Sequence, residues 1–109
     1  MGLKIMNPQK WQDVISLDEL EKGDVTNAKF GTKDLAIYDA TDGIFVSLSR
    51  CTHGAANLCD GYFDGTYIEC PLHQGLFDVR TGEAKAVPAR VKLRMIQSRI
   101  KNEMVQIYI

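Results

Sequence analysis

Apolar positions along this chain come in short runs, and turn signals interrupt them at roughly ten-residue spacing. Residues 11–15 read as a first strand with imperfect alternation, and residues 16–20 as one helical turn, with Ser16 and Glu19 in a capping-box pattern. Lys22-Gly23-Asp24 turns the chain into a strand over Val25–Phe30, which Gly31-Thr32 ends. Residues 34–40 and 44–49 are strand-like, and Thr41-Asp42-Gly43 between them carries the Asp-Gly hairpin signal. Two more such signals, Asp60-Gly61 and Asp64-Gly65, bracket Tyr62-Phe63. Residues 66–69 and 75–79 predict a further pair of strands, with Thr81-Gly82 as the next turn. Residues 83–90, which include Pro88, read as irregular. Residues 91–95 alternate apolar and basic side chains and predict a strand with one face on the core. Lys101-Asn102 reads as a turn, and residues 104–109 as the closing strand.

This pattern predicts an all-β chain, an antiparallel β-sandwich of small sheets. The stretch from about 48 to 80 is expected to form a subdomain inserted between the first and last strands. The 109 residues allow a single domain, 1–109, with a modest core. A net charge of −1 offers no bulk attraction to nucleic acid or to an anionic membrane. No apolar run approaches the roughly eighteen residues of a membrane span. Residues 1–8 show no apolar signal segment, and Met6 breaks the myristoylation pattern that Met1-Gly2 would open. An odd count of three cysteines argues against a disulfide framework and for a reducing cytoplasm.

The candidate chemistry is concentrated in Cys51-Thr52-His53-Gly54 and Cys70-Pro71-Leu72-His73. Both histidines of the chain and two of its three cysteines lie here, and sixteen residues separate His53 from Cys70. Cys51, His53, Cys70 and His73 make a four-ligand metal set that can staple two loops. Tetrahedral zinc and a [2Fe–2S] cluster both suit it. Zinc sites favour like ligands together, in C-x2-4-C and H-x3-5-H pairs. Here each pair is mixed, as a cluster with two thiolates on one iron and two imidazoles on the other requires of two facing loops. Cys59, the cysteine left over, is expected to be a small buried apolar filler.

The spacing resembles the Rieske iron–sulfur motif, C-x-H-x15-17-C-x2-H, at all four ligand positions. The tail Gln74-Gly75-Leu76-Phe77-Asp78-Val79-Arg80-Thr81-Gly82 looks like the Rieske-type ferredoxin components of bacterial aromatic-ring-hydroxylating dioxygenases, the naphthalene, biphenyl and toluene dioxygenase group. The resemblance implies the Rieske fold and one [2Fe–2S] cluster per chain, with Cys51 and Cys70 on one iron and His53 and His73 on the other. It implies a one-electron carrier rather than an enzyme. A flavin, NAD(P)H-dependent reductase would be the donor and a terminal Rieske non-haem iron oxygenase the acceptor, each docking transiently on a monomer around His53 and His73. The sequence agrees: both histidines are used, so no two-His-one-carboxylate iron site remains, and there is no Gly-rich dinucleotide loop. Two other readings stay open, the small subunit of an NADH-dependent nitrite reductase and a zinc-stabilised interaction module.

Two imidazoles in place of two thiolates make the oxidised cluster neutral rather than a dianion, so it accepts an electron more readily. Rieske potentials span roughly −150 to +300 mV, against about −400 mV for plant-type ferredoxins. The high-potential Rieske proteins of respiratory complexes carry a disulfide cysteine in each loop and a serine hydroxyl facing a sulfide. Ala56, Leu72, Gln74 and Gly75 stand at the corresponding places, which predicts the low end of that range. Gly54 and Gly75 would let backbone N–H groups approach the cluster closely, and Pro71 would stiffen the second loop. Trp11 and the tyrosines read as packing. Asp60, Asp64 and Glu69 read either as solvated turns or as a docking patch for a basic partner.

Overall fold

The computed structural model describes residues 9–52, 56–72, 75–86 and 91–109. Its centre is the run Lys-Asp-Leu-Ala-Ile-Tyr-Asp-Ala at residues 33–40. Side chains alternate across a strand, so Leu35 and Ile37 leave one face while Ala36, Tyr38 and Ala40 leave the other. All five are buried, and this strand therefore carries a core on each side.

In chain order the strands are β1 (Trp11–Ser16), β2 (Val25–Phe30), β3 (Lys33–Ala40), β4 (Gly43–Leu48), β5 (Tyr62–Phe63), β6 (Tyr67–Glu69), β7 (Leu76–Asp78), β8 (Ala84–Ala86), β9 (Met95–Ile96), β10 (Ser98–Lys101) and β11 (Met104–Tyr108). Among the described residues they make three antiparallel sheets, ordered β1-β11-β10, β2-β3-β4-β9 and β5-β6-β7-β8. The all-β antiparallel class read from the sequence is the class observed. Single 3-10 turns at Leu17–Glu19 and Leu58–Asp60 interrupt the strands.

One core lies between the first two sheets, where Ala28, Leu35, Ile37 and Val46 meet Val105 and Ile107. The opposite face of β3 packs against the third sheet and the loops beside it. There Val25, Ala36, Tyr38 and Ala40 meet Leu58, Phe63, Ile68, Phe77, Val79 and Leu93, together with Cys51 and Cys70. The Tyr38 ring tilts against Phe63 with centroids 5.5 Å apart. The fully buried Tyr38 hydroxyl lies 2.9 Å from Ser47 Oγ, and Ser47 Oγ donates to the Leu48 carbonyl at 2.9 Å, so Tyr38 is the donor of the pair. Burial raises the Tyr38 pKa far above that of a free phenol.

Four features depart from the sequence pattern. Residues 91–94 do not form a strand, because the Leu93 N–H bonds the Gly82 carbonyl at 2.8 Å and the Met95 N–H bonds back to Leu93 at 3.0 Å. Pairing starts only at Met95, opposite Ser47. Alternation there had a real cause, since Leu93 is buried, but Val91 is 61% exposed. Residues 84–86, expected to be irregular, pair with β7 as β8. The run 98–101 is a strand with its polar side chains in use: Arg99 Nε donates to Gln106 Oε1 at 2.7 Å, and its guanidinium lies 4.1 Å over the Trp11 ring. The hairpin that follows turns at Asn102-Glu103, both at positive φ (53° and 62°), the primed type I′ form that matches strand twist. Ser16 caps its 3-10 turn through the Asp18 N–H at 3.3 Å, not through Glu19.

Tyr38→Phe keeps the ring and removes one buried hydrogen bond, while Ser47 retains its own acceptor. The expected loss is about 1 kcal/mol of stability, read from the urea midpoint with an unchanged m-value.

Candidate metal centre

Two loops leave the core on the Tyr38 face of β3, the inner of the two, and each begins at a buried cysteine. Beyond β4 the chain pairs with itself: the Leu58 N–H bonds Ser49 O at 2.7 Å, Arg50 bridges Asn57, and the Cys51 N–H bonds Ala56 O at 2.9 Å. Between β6 and β7 the Cys70 N–H bonds Gly75 O at 2.7 Å. Each loop is thus closed by the same bond, from the cysteine N–H to the carbonyl five residues on. Each closure encloses four residues, and in each the expected histidine is one of the four. His53 and His73 themselves lie outside the described residues, as do Gly54, Gln74 and Pro88.

Cys51 and Cys70 are both buried, and no disulfide joins the three cysteines. Burial pushes the Cys70 thiol up to about 11. The Leu72 N–H, 3.4 Å from Cys70 Sγ, pulls in the opposite direction, and hydrogen bonding to the neighbouring Cys51 thiol pushes it up again. Buried against Cys51, the Cys70 thiol keeps its proton unless a cation replaces it. This donor pair fits one iron of a [2Fe–2S] cluster, and the backbone N–H aimed at sulfur is what a charged thiolate there would need. At the rim, Pro71 and Leu72 are exposed, and Thr52 Oγ1 donates to Val91 O at 2.7 Å, tying the first loop to the 91–94 segment.

The chain after the second loop is built to hold that loop still. Phe77 fills the core. Asp78 is buried and receives Arg80 three times, from its backbone N–H (2.9 Å), Nε (3.1 Å) and Nη2 (3.0 Å). The Arg80 side chain holds the Asp78 carboxyl below the usual carboxylate range against the opposing effect of burial. Gly82 closes the turn onto Asp78 O at 2.7 Å with φ +83°, and a Cβ there would meet Leu93 O. Gly61 owes its place to a different constraint. Its φ is −88°, but a side chain would collide with the Glu69 carbonyl on β6.

Asp64 Oδ1 accepts the Thr66 and Tyr67 N–H groups at 2.9 and 2.7 Å, so this carboxylate caps its own turn. Of the three acids weighed for docking, Asp60 is exposed and Glu69 half-buried opposite exposed Tyr62. Cys59, expected to be buried, packs half-buried against the core that holds Cys51 and Cys70, with Sγ 3.9 Å from Leu35 O and its thiol pushed up to about 11 by burial. The sequence reading missed Thr52, whose partner is thirty-nine residues away and has no local signal. The pairing of Asp78 with Arg80 likewise has no signature in the motif that contains them.

Residues 10–100 match the model of the Rieske [2Fe-2S] domain family. The chain belongs to that family. Its cofactor is a [2Fe–2S] cluster, and the Rieske architecture recurs in solved relatives. The Sphingomonas yanoikuyae B1 ferredoxin superposes with a TM-score of 0.85 at 35% identity, over 92% of this chain and 99% of that one. A second structure, of the complex of reduced oxygenase and oxidized ferredoxin in carbazole 1,9a-dioxygenase, superposes with a TM-score of 0.80 at 32% identity, over 90% and 92%. Among curated relatives, the ferredoxin component of the naphthalene 1,2-dioxygenase/salicylate 5-hydroxylase systems of Ralstonia sp. is 40% identical over 99 residues, 91% of this chain and 95% of the relative. The dioxygenase-ferredoxin resemblance read from the motif and its tail agrees with these matches. Such relatives are named as ferredoxin components of dioxygenase systems, not as their catalytic oxygenases. Among the described residues of this Rieske chain, no helix is long and apolar enough to cross a membrane.

Because its pKa is lowered in the folded state, Asp78 contributes stability above the unfolded carboxyl value of about 4, and this is lost as pH falls through the native value. Arg80→Ala is therefore expected to lower the thermal midpoint at pH 7, with the gap to wild type closing below about pH 4. A gap of equal size at pH 7 and pH 3 would show that Arg80 acts by packing alone.

Proposed function

We propose that this chain is a one-electron carrier that binds one [2Fe–2S] cluster and serves an aromatic-ring-hydroxylating dioxygenase. In this reading residues 1–109 form one Rieske domain, with the cluster-binding subdomain at about 48 to 80. Cys51 and Cys70 hold one iron and His53 and His73 the other. The observation that carries it is the pair of matched loop closures, each starting at a buried cysteine and enclosing an expected histidine, in a chain 40% identical to dioxygenase ferredoxin components.

The bound cluster would take up one electron and release it again. The chain's own residues set the terms. The core around Cys51 and Cys70 excludes water from the thiolate side. The Leu72 N–H faces Cys70 Sγ, a stabilising contact for negative charge. Exposed Pro71 and Leu72 leave the second loop accessible to another protein. The Asp78–Arg80 pair and the Gly82 turn keep the loop geometry fixed on either side of an electron transfer, so little reorganisation is needed.

The donor is a flavin, NAD(P)H-dependent reductase, and the acceptor is a terminal Rieske non-haem iron oxygenase. The solved oxygenase–ferredoxin complex of carbazole 1,9a-dioxygenase supports the second of these. Each encounter is transient, made by a monomer through a small surface around His53 and His73 in the cytoplasm, with no nucleic acid or membrane involved.

Three measurements test this. The purified protein is expected to be brown-red and to show a paramagnetic EPR signal once reduced with dithionite, as the Rieske resemblance implies. His73→Ala should abolish turnover coupled to the oxygenase while keeping the β-sheet circular dichroism. A colourless wild-type protein holding one zinc would end the electron-transfer reading. The reduction potential is expected at the low end of roughly −150 to +300 mV, and to fall as pH rises through the histidine pKa of the oxidised form. A potential flat from about pH 6 to 11 would rule out histidine ligation.

A further inference from the structure

Beside Cys51 lies a cleft of about 150 Å³, lined among the described residues by Leu48, Arg50, Cys51, Thr52, Val91 and Arg94. Among the described residues, two that bear guanidinium groups and no acid line it. The backbone that presents them is fixed: the Leu48 N–H bonds Arg94 O at 3.0 Å, Arg50 bridges Asn57, and Thr52 bonds Val91. Both arginines are exposed, and among the described residues neither makes an ion pair. Arg80, by contrast, is paired to Asp78 and Asp42. The whole chain carries a net charge of −1, so this positive cleft is a local feature and not a reflection of bulk charge. Val91 adds exposed apolar surface at the same place.

We propose that the Arg50–Arg94 cleft is a docking site for a carboxylate-bearing surface of a redox partner. The inference rests on reading the chain as an electron carrier and names which face receives the partner and by what chemistry. Guanidinium groups present planar forks of donors that match carboxylates. The exposed apolar Val91 suits a protein surface, which covers it, better than a free anion, which leaves it wet. Two cations in one cleft do not track a phosphate backbone. A partner seated here lies against Cys51, and opposite charges on the two surfaces raise the rate of encounter.

The test uses the dithionite-reduced holoprotein, oxidised in a stopped-flow instrument at low salt by anionic ferricyanide and, separately, by cationic tris(phenanthroline)cobalt(III). Hexaglutamate peptide serves as the carboxylate competitor. Arg50→Ala/Arg94→Ala is expected to slow the ferricyanide reaction roughly three- to tenfold and to speed the cobalt reaction. Arg50→Lys/Arg94→Lys should keep most of the wild-type rates, because these small oxidants sense charge and not fork geometry. Hexaglutamate should slow ferricyanide oxidation of wild type and not of the double alanine variant, and salt of about 0.5 M should erase these differences. Unchanged visible and EPR spectra with unchanged rates in the alanine variant would overturn the docking inference alone. A wild-type protein without the cluster's spectrum would overturn the electron-carrier reading and this inference with it.

Discussion

The structure depends on a single strand being buried on both faces. Leu35 and Ile37 of β3 close the outer core against Val105 and Ile107, and Ala36, Tyr38 and Ala40 form the floor of the inner one. The inner core is also where the two candidate ligand thiols sit. Folding energy and site geometry therefore come from the same contacts: the apolar surface that stabilises the third sheet also dehydrates Cys51 and Cys70. The small alanines on the inner face leave room for Tyr38, whose hydroxyl is satisfied within the layer by Ser47 on β4.

Burial gives those thiols two properties that a surface pair would lack. Burial holds the proton of Cys70 tightly, so a cation must displace it, and a cation bound beside the two buried cysteines is shielded from water. The rest of the local architecture limits motion. Matched backbone bonds pinch both loops, the Asp78–Arg80 pair braces the return strand, and Gly82 locks against Leu93. A carrier gains from this rigidity, since the same geometry must serve before and after the electron arrives. Shielded thiols behind the exposed Pro71 and Leu72, with a basic cleft beside Cys51, form a centre that is buried on its core side.

Hairpins were legible where turn chemistry was local. The strand Val25–Phe30, the hairpin into β4 and the return from β6 to β7 follow from Gly and Asp signals and short apolar runs. Strand ends drifted by a residue or so, and β10 escaped notice because Ser98, Arg99 and Lys101 are polar. Arg99 is nonetheless a strand residue that lays its charge over Trp11 and its Nε on Gln106, partners supplied by β1 and β11. Residues 91–94 misled in the opposite direction. Their alternation was genuine, but the Leu93 N–H goes to Gly82, a bond no local pattern encodes.

What the sequence determined by itself is the chemistry: two Cys–His pairs at a spacing that admits a mixed-ligand cluster, and the all-β class, because ligand type and strand alternation are local properties of the chain. What only the tertiary structure decided is the environment of that chemistry. The contact of Cys51 with Cys70, the Thr52–Val91 tie and the convergence of Arg50 with Arg94 join residues that are distant in the chain. Their positions follow from how three small sheets pack around β3, and packing is a property of all the side chains together.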